Sequence, residues 1–260
     1  MEDTAPVLPG VRPVLDLLAA DPGRVDLVYC RKGLRNEDAS RIQSLCRERG
    51  IRFVPADREL LDRLCRDAQA GDRKPVHQGV VARLVPTGFA DLPEVLRSAA
   101  SAPLPVLLVL DQVQDPGNVG TLCRTLFTLG GVGLLVPRHN GAYLGPAAHK
   151  ASAGALERIR IAKVANLAQA LDEAEEAGFN ICGAVCRDGP GVSDAFRHPL
   201  PLPAALVLGN EERGIRPGVL KRCAVKLRIP SAGDFDSLNV AQAGAILLGL
   251  AAARLPHPGN

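Results

Sequence analysis

Apolar positions along the chain fall into two stretches with different rhythms. In the first, short apolar runs alternate with amphipathic ones. Residues 11–20 are predicted as a short helix and 25–29 as a strand. Residues 37–49 form a helix that Gly50 closes as C-cap. A strand over 51–54 follows, then a helix over 58–68 with Leu60, Leu61 and Leu64 on one face, then a strand over 79–84. Strands alternating with helices imply a small α/β sandwich. In the second stretch the strand candidates are wholly apolar, at 106–110, 132–136, 181–185 and 204–208, with a shorter one at 227–229. Continuous apolar runs are what parallel strands covered on both faces require. Helices fit at 119–129, 167–177 and 239–254, so the second part reads as a parallel α/β domain.

Between these stretches, Pro86, Gly88, Pro93, Pro103 and Pro105 punctuate a segment with one short helical piece. It reads as a linker. The expected division is a first domain over 1–86, a linker over 87–104 and a second domain over 105–260.

Composition narrows the class without naming it. Apolar content of 47% and charged content of 23% are those of a globular chain. The longest apolar stretch, 240–253, is interrupted by Gln242 and falls short of the ~20 residues that span a bilayer. The acidic start Met1-Glu2-Asp3 lacks a signal pattern. The expectation is a cytoplasmic protein with no membrane partner. Seven cysteines, at 30, 46, 65, 123, 182, 186 and 223, include no CxxC pair and no histidine at zinc spacing. Free thiols and no metal are expected. Net charge is +3, and only six of the 31 cations are lysine. Arginine suits RNA because it forks phosphates and stacks on bases. An Ala-, Gly-, Pro- and Arg-rich composition also follows from a GC-rich genome, so charge alone decides nothing.

Three loops follow apolar strands, where open α/β sheets place their ligands. The first runs from Asp111 through Asp115-Pro116-Gly117-Asn118 to Arg124-Thr125. A helix starting near Asn118 puts Asn118 and Arg124 on its first two turns; a plain strand-turn-helix with a solvated Arg124 fits equally well. The second is Gly209-Asn210-Glu211-Glu212-Arg213-Gly214, whose glycines permit close backbone approach to a ligand. It matches neither GxGxxG nor a Walker A loop. The third runs from Ile229-Pro230 to Ser237-Leu238-Asn239-Val240. Ser237 is a good N-cap, with Asn239 in the first turn of a closing helix rich in Ala and Gly. So little bulk fits a core helix or a tight homodimer contact.

Together the loops resemble the three signature motifs of the SpoU family of RNA 2′-O-methyltransferases, in order: D-x-x-x-DP-x-N-x-G-x-x-x-R-T, G-x-E-x-x-G and I-P-x-x-G-x-x-x-SLNV. Gly10-Val11-Arg12-Pro13-Val14 and His77-Gln78-Gly79-Val80 resemble the family's N-terminal substrate-binding domain, so the likeness covers nearly the whole chain. It implies a C-terminal trefoil-knotted methyltransferase domain, an exception to unknotted connections, behind a small N-terminal α/β domain. It further implies a homodimer and an S-adenosylmethionine pocket formed by the knot. Carried over by motif, the cofactor is expected at Gly209, Ile229 and Leu238, with Leu208 and Gly233 beside them. Asn118, Arg124, Glu211, Ser237 and Asn239 match the polar active-site positions, and Arg124 matches the one assigned to activate the ribose hydroxyl. A guanidinium stays protonated in proteins and is no general base. Holding phosphate and stabilising the developing oxyanion is the role its chemistry permits.

Ser231, the acids Asp234 and Asp236, and Glu212-Arg213 depart from common family usage, none at a matched position. His77 is expected to be structural or to face RNA. Residues 149–154 resemble a further family segment in which Ser152 lines the cleft. The two-domain layout points to a guanosine of 23S ribosomal RNA. Alternatives are a tRNA 2′-O-methyltransferase or a non-catalytic RNA-binding protein on the same scaffold.

Overall fold

In both halves of the chain the apolar runs pair into sheets, with opposite solutions to strand direction. The computed structural model describes residues 7–34, 36–68, 76–84, 88–198, 200–231 and 238–256. The chain divides into two units, Met1–Phe89 and Ala90–Asn260.

The first unit contains β1 (Val7–Pro9), α1 (Val11–Ala20), β2 (Val25–Arg31), α2 (Glu37–Glu48), β3 (Arg52–Ala56), α3 (Arg58–Ala68) and β4 (Val80–Leu84). The sheet order is β1-β4-β2-β3. β2 and β3 are parallel, joined across α2, while β4 runs antiparallel to β1 and β2. Alternation along β4 divides the core. Val80 and Ala82 join Val14, Leu18, Ile42 and Cys46 beneath α1 and α2, and Val81 meets Leu61 and Cys65 of α3. The sandwich is as expected, but β1 and the antiparallel pairing were not legible.

His77 proves to be a local latch. Gln78 and Gly79 turn with φ of 51° and 85°. The Gly79 N–H donates to His77 Nδ1 at 2.9 Å, so Nε2 carries the proton and faces Asp62 Oδ1 at 3.1 Å. Gln78 Oε1 accepts from the Val11 N–H at 3.3 Å, tying the turn to the start of α1. His77 is buried, so its role is to hold this turn.

The second unit contains α4 (Leu92–Ala100), β5 (Val106–Asp111), α5 (Pro116–Thr128), β6 (Gly133–Pro137), α6 (Pro146–Ser152), β7 (Arg160–Val164), α7 (Leu167–Glu176), β8 (Asn180–Ala184), β9 (Val192–Asp194), β10 (Ala204–Gly209), α8 (Pro217–Leu220), β11 (Val225–Arg228) and α9 (Val240–Ala252). Its seven strands lie in the order β7-β6-β5-β10-β8-β11-β9, every pair parallel. The segment read as a linker holds α4, whose Val95, Leu96 and Ala99 belong to this unit's core. No helix among the described residues is long and apolar enough to cross a membrane. Six of the seven cysteines are buried and Cys186 is exposed. Burial pushes the thiols of Cys46, Cys123 and Cys182 up to about 12, which keeps them protonated near neutrality.

Two helix starts differ from expectation. α5 begins at Pro116, because Asp115 caps it by accepting from the Gly117 and Asn118 N–H groups, both at 3.1 Å. Proline at the first helical position has no N–H to leave orphaned, so this Asp-Pro is a helix start rather than a turn. The cap of α9 is Asn239, whose Oδ1 accepts from the Ala241 N–H at 2.8 Å. Asn239 therefore precedes the first turn instead of lying in it. Ser237, read as that cap, lies outside the described residues.

Small residues let three helices approach closely. A methyl added at Gly120 of α5 would strike the Ala148 carbonyl oxygen and come within 2.6 Å of Ala151 Cβ on α6. One at Gly244 of α9 would strike Leu122 and come within 2.8 Å of Leu208 Cδ1. The Gly244 face of α9 is therefore a core face. Gly120→Ala is predicted to cost about 1–3 kcal/mol by overpacking. Gly249→Ala, with no atom within 4 Å of the added carbon, should leave the urea midpoint unchanged or raised.

Candidate active site at the carboxyl edge of the parallel sheet

β5 and β10 lie side by side where the strand order reverses: β6 and β7 extend to one side, β8, β11 and β9 to the other. Loops leaving such a switch point diverge and open a crevice. Gly209 ends β10 and Ile229 follows β11, the two strands that flank β8. Two strand spacings separate their strands by roughly 9–10 Å.

A buried ion pair sets the crevice wall. Asp111, at 0% exposure, ends β5. Its two oxygens accept from Arg216 N at 2.8 Å and Arg216 Nε at 2.7 Å. This fastens the end of the second loop to the base of the first. A carboxylate taken wholly from water needs such donors. Asp111 stood in the sequence as the first residue of the first motif, but Arg216 did not, because the two are 105 positions apart and no local pattern links them.

The second loop folds on itself. Asn210 and Gly214 exchange backbone hydrogen bonds at 3.1 and 2.9 Å, and Asn210 Oδ1 accepts from the Glu212 and Arg213 N–H groups, both at 3.1 Å. A side chain at Gly209 would strike the backbone of Gly214 and Ile215. The close approach expected there is made by the loop's own backbone, which is why glycine is required. Asn210 Nδ2 donates to the Gln112 carbonyl at 3.0 Å, joining this loop to the first.

A polar chain then draws in the third loop. Asn239 Nδ2 donates to Asn118 Oδ1 at 3.1 Å, and Asn118 Nδ2 donates to Glu211 Oε1 at 3.0 Å. Glu211 Oε2 accepts from Asn210 Nδ2 at 3.4 Å. Three of the five expected polar site residues thus meet in one continuous chain, with every amide donating toward the Glu211 carboxylate. Arg124 does not join it. Six residues beyond Asn118 it has turned to another face of α5, exposed and with no hydrogen bond or ion pair to any described residue. Ser237 and Gly233 lie outside the described residues.

Among the expected cofactor positions, Leu208 can contribute only its backbone, because its side chain is buried against Gly244. Gly209 and Ile229 are half-buried at the edge, and Leu238 is 45% exposed, one of three large hydrophobic side chains so placed among the described residues. Ser152 is corrected: it is fully buried, its Oγ donating to the His149 carbonyl at 2.9 Å and accepting from Leu156 N at 3.3 Å. It pins the end of α6 and does not line the cleft. The remaining set fits S-adenosylmethionine. Exposed apolar Leu238 and partly exposed Ile229 suit an adenine face, and polar backbone at Gly209 and Asn210 suits its edge.

Residues 105–249 match the model of the SpoU rRNA Methylase family, and residues 7–89 match that described as RNA 2′-O ribose methyltransferase substrate binding. The chain is 32% identical to the 23S rRNA (guanosine-2′-O-)-methyltransferase RlmB of Pseudomonas syringae pv. tomato, over 92% of each chain. It is 31% identical to an uncharacterized tRNA/rRNA methyltransferase of Mycolicibacterium vanbaalenii, over 95% of this chain and 76% of that one. The fold resembles that of an AdoMet-bound rRNA methyltransferase from Sinorhizobium meliloti, with a TM-score of 0.58 at 22% identity, over 98% and 90% of the two chains.

Asp111→Asn, which keeps the shape but removes the charge from the bond to half-exposed Arg216, is predicted to cost about 1–2 kcal/mol in urea unfolding.

Proposed function

The chain belongs to the SpoU rRNA methylase family and is an S-adenosylmethionine-dependent RNA 2′-O-ribose methyltransferase; from that premise we propose that its target is a guanosine of 23S ribosomal RNA. The observation carrying this finer reading is that the likeness to the Pseudomonas guanosine methyltransferase runs through both units, substrate-binding part included. In our reading the first unit grips RNA and the second performs the transfer, as a homodimer in the cytoplasm.

S-adenosylmethionine supplies an electrophilic methyl on a sulfonium that is already a good leaving group. The protein's task is therefore positioning more than acid–base chemistry. Gly209, Ile229 and Leu238 would hold the cofactor, with the Leu208 backbone at its margin; Gly233 is assigned there by its motif alone. Glu211, gathered by Asn118 and Asn239, would fix the mouth of the crevice; Ser237 is assigned to the active site by its motif alone. Arg124 has no hydrogen bond or ion pair among the described residues, and its guanidinium would hold an RNA phosphate and the negative charge developing on the 2′-oxygen. The proton leaves to water or phosphate, since arginine holds its own.

The test is transfer of radiolabelled methyl from S-adenosylmethionine onto 23S ribosomal RNA and tRNA transcripts. Label should enter the ribosomal transcript, at a guanosine 2′-hydroxyl. Arg124→Ala should lower kcat by about 10²–10³-fold while calorimetry shows S-adenosylmethionine affinity unchanged. Label only in tRNA would reject the substrate; full activity of Arg124→Ala would reject the role given to that residue.

A further inference from the structure

The first unit contains a cavity of about 560 Å³ that the methyl-transfer site does not use. It opens between α2 and the ends of β2 and β3. Arg31 and Lys32, at the turn after β2, stand at its rim. Asn36, at the cap of α2, and Gln43, two turns along the same helix, form one side; Phe53 and Pro55, alternate residues of β3, form the floor. β3 ends the sheet order, so no further strand among the described residues covers this edge. The turn is fixed in place: Arg31 N–H donates to the Gly79 carbonyl at 2.8 Å, Lys32 N–H to Ala56 at 2.8 Å and Leu34 N–H to Arg31 at 3.1 Å.

The cavity's chemistry is one-sided. Among the described residues, no carboxylate lines it. Arg31 and Lys32 are exposed, and neither makes an ion pair among the described residues. Asn36 uses its Oδ1 on the cap, accepting from Ala39 N at 2.8 Å, which leaves its amide hydrogens for another acceptor. The floor is apolar and holds an aromatic ring in a chain that is only 3% aromatic. Cations and amide donors above an apolar, aromatic floor suit a phosphate joined to a flat heterocycle. The volume lies within the ~300–1,000 Å³ of small-ligand sites. A base stacked in a duplex offers no free face to such a recess, whereas an unpaired one does.

We propose that this cavity receives an unpaired nucleotide of the RNA substrate, its base against Phe53 and Pro55 and its phosphate between Arg31 and Lys32. This rests on the RNA methyltransferase reading and gives the first unit its point of contact. Arginine and lysine hold the backbone without reading sequence, and Asn36 and Gln43 are placed to hydrogen-bond the base edge.

The experiment measures anisotropy of a fluorescent 23S ribosomal RNA transcript with the full chain across a salt series. Arg31→Ala/Lys32→Ala should weaken binding at least about tenfold and lower the salt slope by about one for each cation removed. Phe53→Leu, which keeps the floor apolar, should weaken it about tenfold at unchanged slope, and Phe53→Tyr should restore it. All three variants should bind S-adenosylmethionine as the wild type does. Affinity and slope within twofold of wild type for both the charge and the Phe53→Leu variants would overturn the site while leaving the proposed function intact. A wild-type chain that binds no RNA transcript would overturn both.

Discussion

Asn118 makes two hydrogen bonds of opposite sense, accepting from Asn239 and donating to Glu211, partners 121 and 93 residues away. Those bonds bring together loops that leave three different strands. Their direction is fixed: Asn239 spends its own oxygen on the cap of α9, so its nitrogen must donate. Asn118 must then offer its oxygen to one side and its nitrogen to the other. Glu211 is where the run ends, a carboxylate that accepts from both Asn118 and Asn210. A group of the same shape with donor and acceptor exchanged does not fit such a chain.

Packing makes those bonds reachable. α5 carries Asn118 on its first turn and Gly120 beside it, and α9 carries Gly244 one turn beyond its Asn239 cap. Gly244 admits Leu122 of α5 into the space a methyl would occupy, so these two helices sit close enough for short amides to meet, while Gly120 admits α6. The Asp111–Arg216 pair and the Asn210 turn shape the remaining wall. A site for a large, mostly neutral cofactor is thereby made chiefly from backbone and small polar groups, and the strong cation nearby, Arg124, is left facing outward.

Much of the fold was legible wherever one pattern dominated. The helix over 11–20 has the bounds expected, and so does that over 58–68, because apolar spacing and flanking breakers agree. The apolar runs of β5 and β10 were read as strands, and each strand extends one residue past expectation, to Asp111 and Gly209. β7 was hidden because it is an edge strand carrying Arg160 and Lys163, and β9 because it is three residues long. The helix expected to start near Asn118 begins two residues earlier, because Asp115-Pro116 itself starts it. At the site, the motif residues pointed to the right loops but not to what joins them. Asp111, Asn210 and Arg216 act over sequence distances that no local pattern spans, and Leu208 follows the strand's apolar run into the core.

The polarity of the Asn118 chain holds the three loops together, and exchanging charge and amide across it tests this. Asn118→Asp keeps the shape but sets a second carboxylate against Glu211; adding Glu211→Gln lets the new amide donate to the new carboxylate, reversing that one bond while those from Asn239 and Asn210 keep their sense. Calorimetric titration with S-adenosylmethionine should show the single variant weakened at least about tenfold and the double variant recovered to within about threefold of wild type. A double variant no tighter than the product of its two single losses would contradict the claim that this chain holds the three loops together.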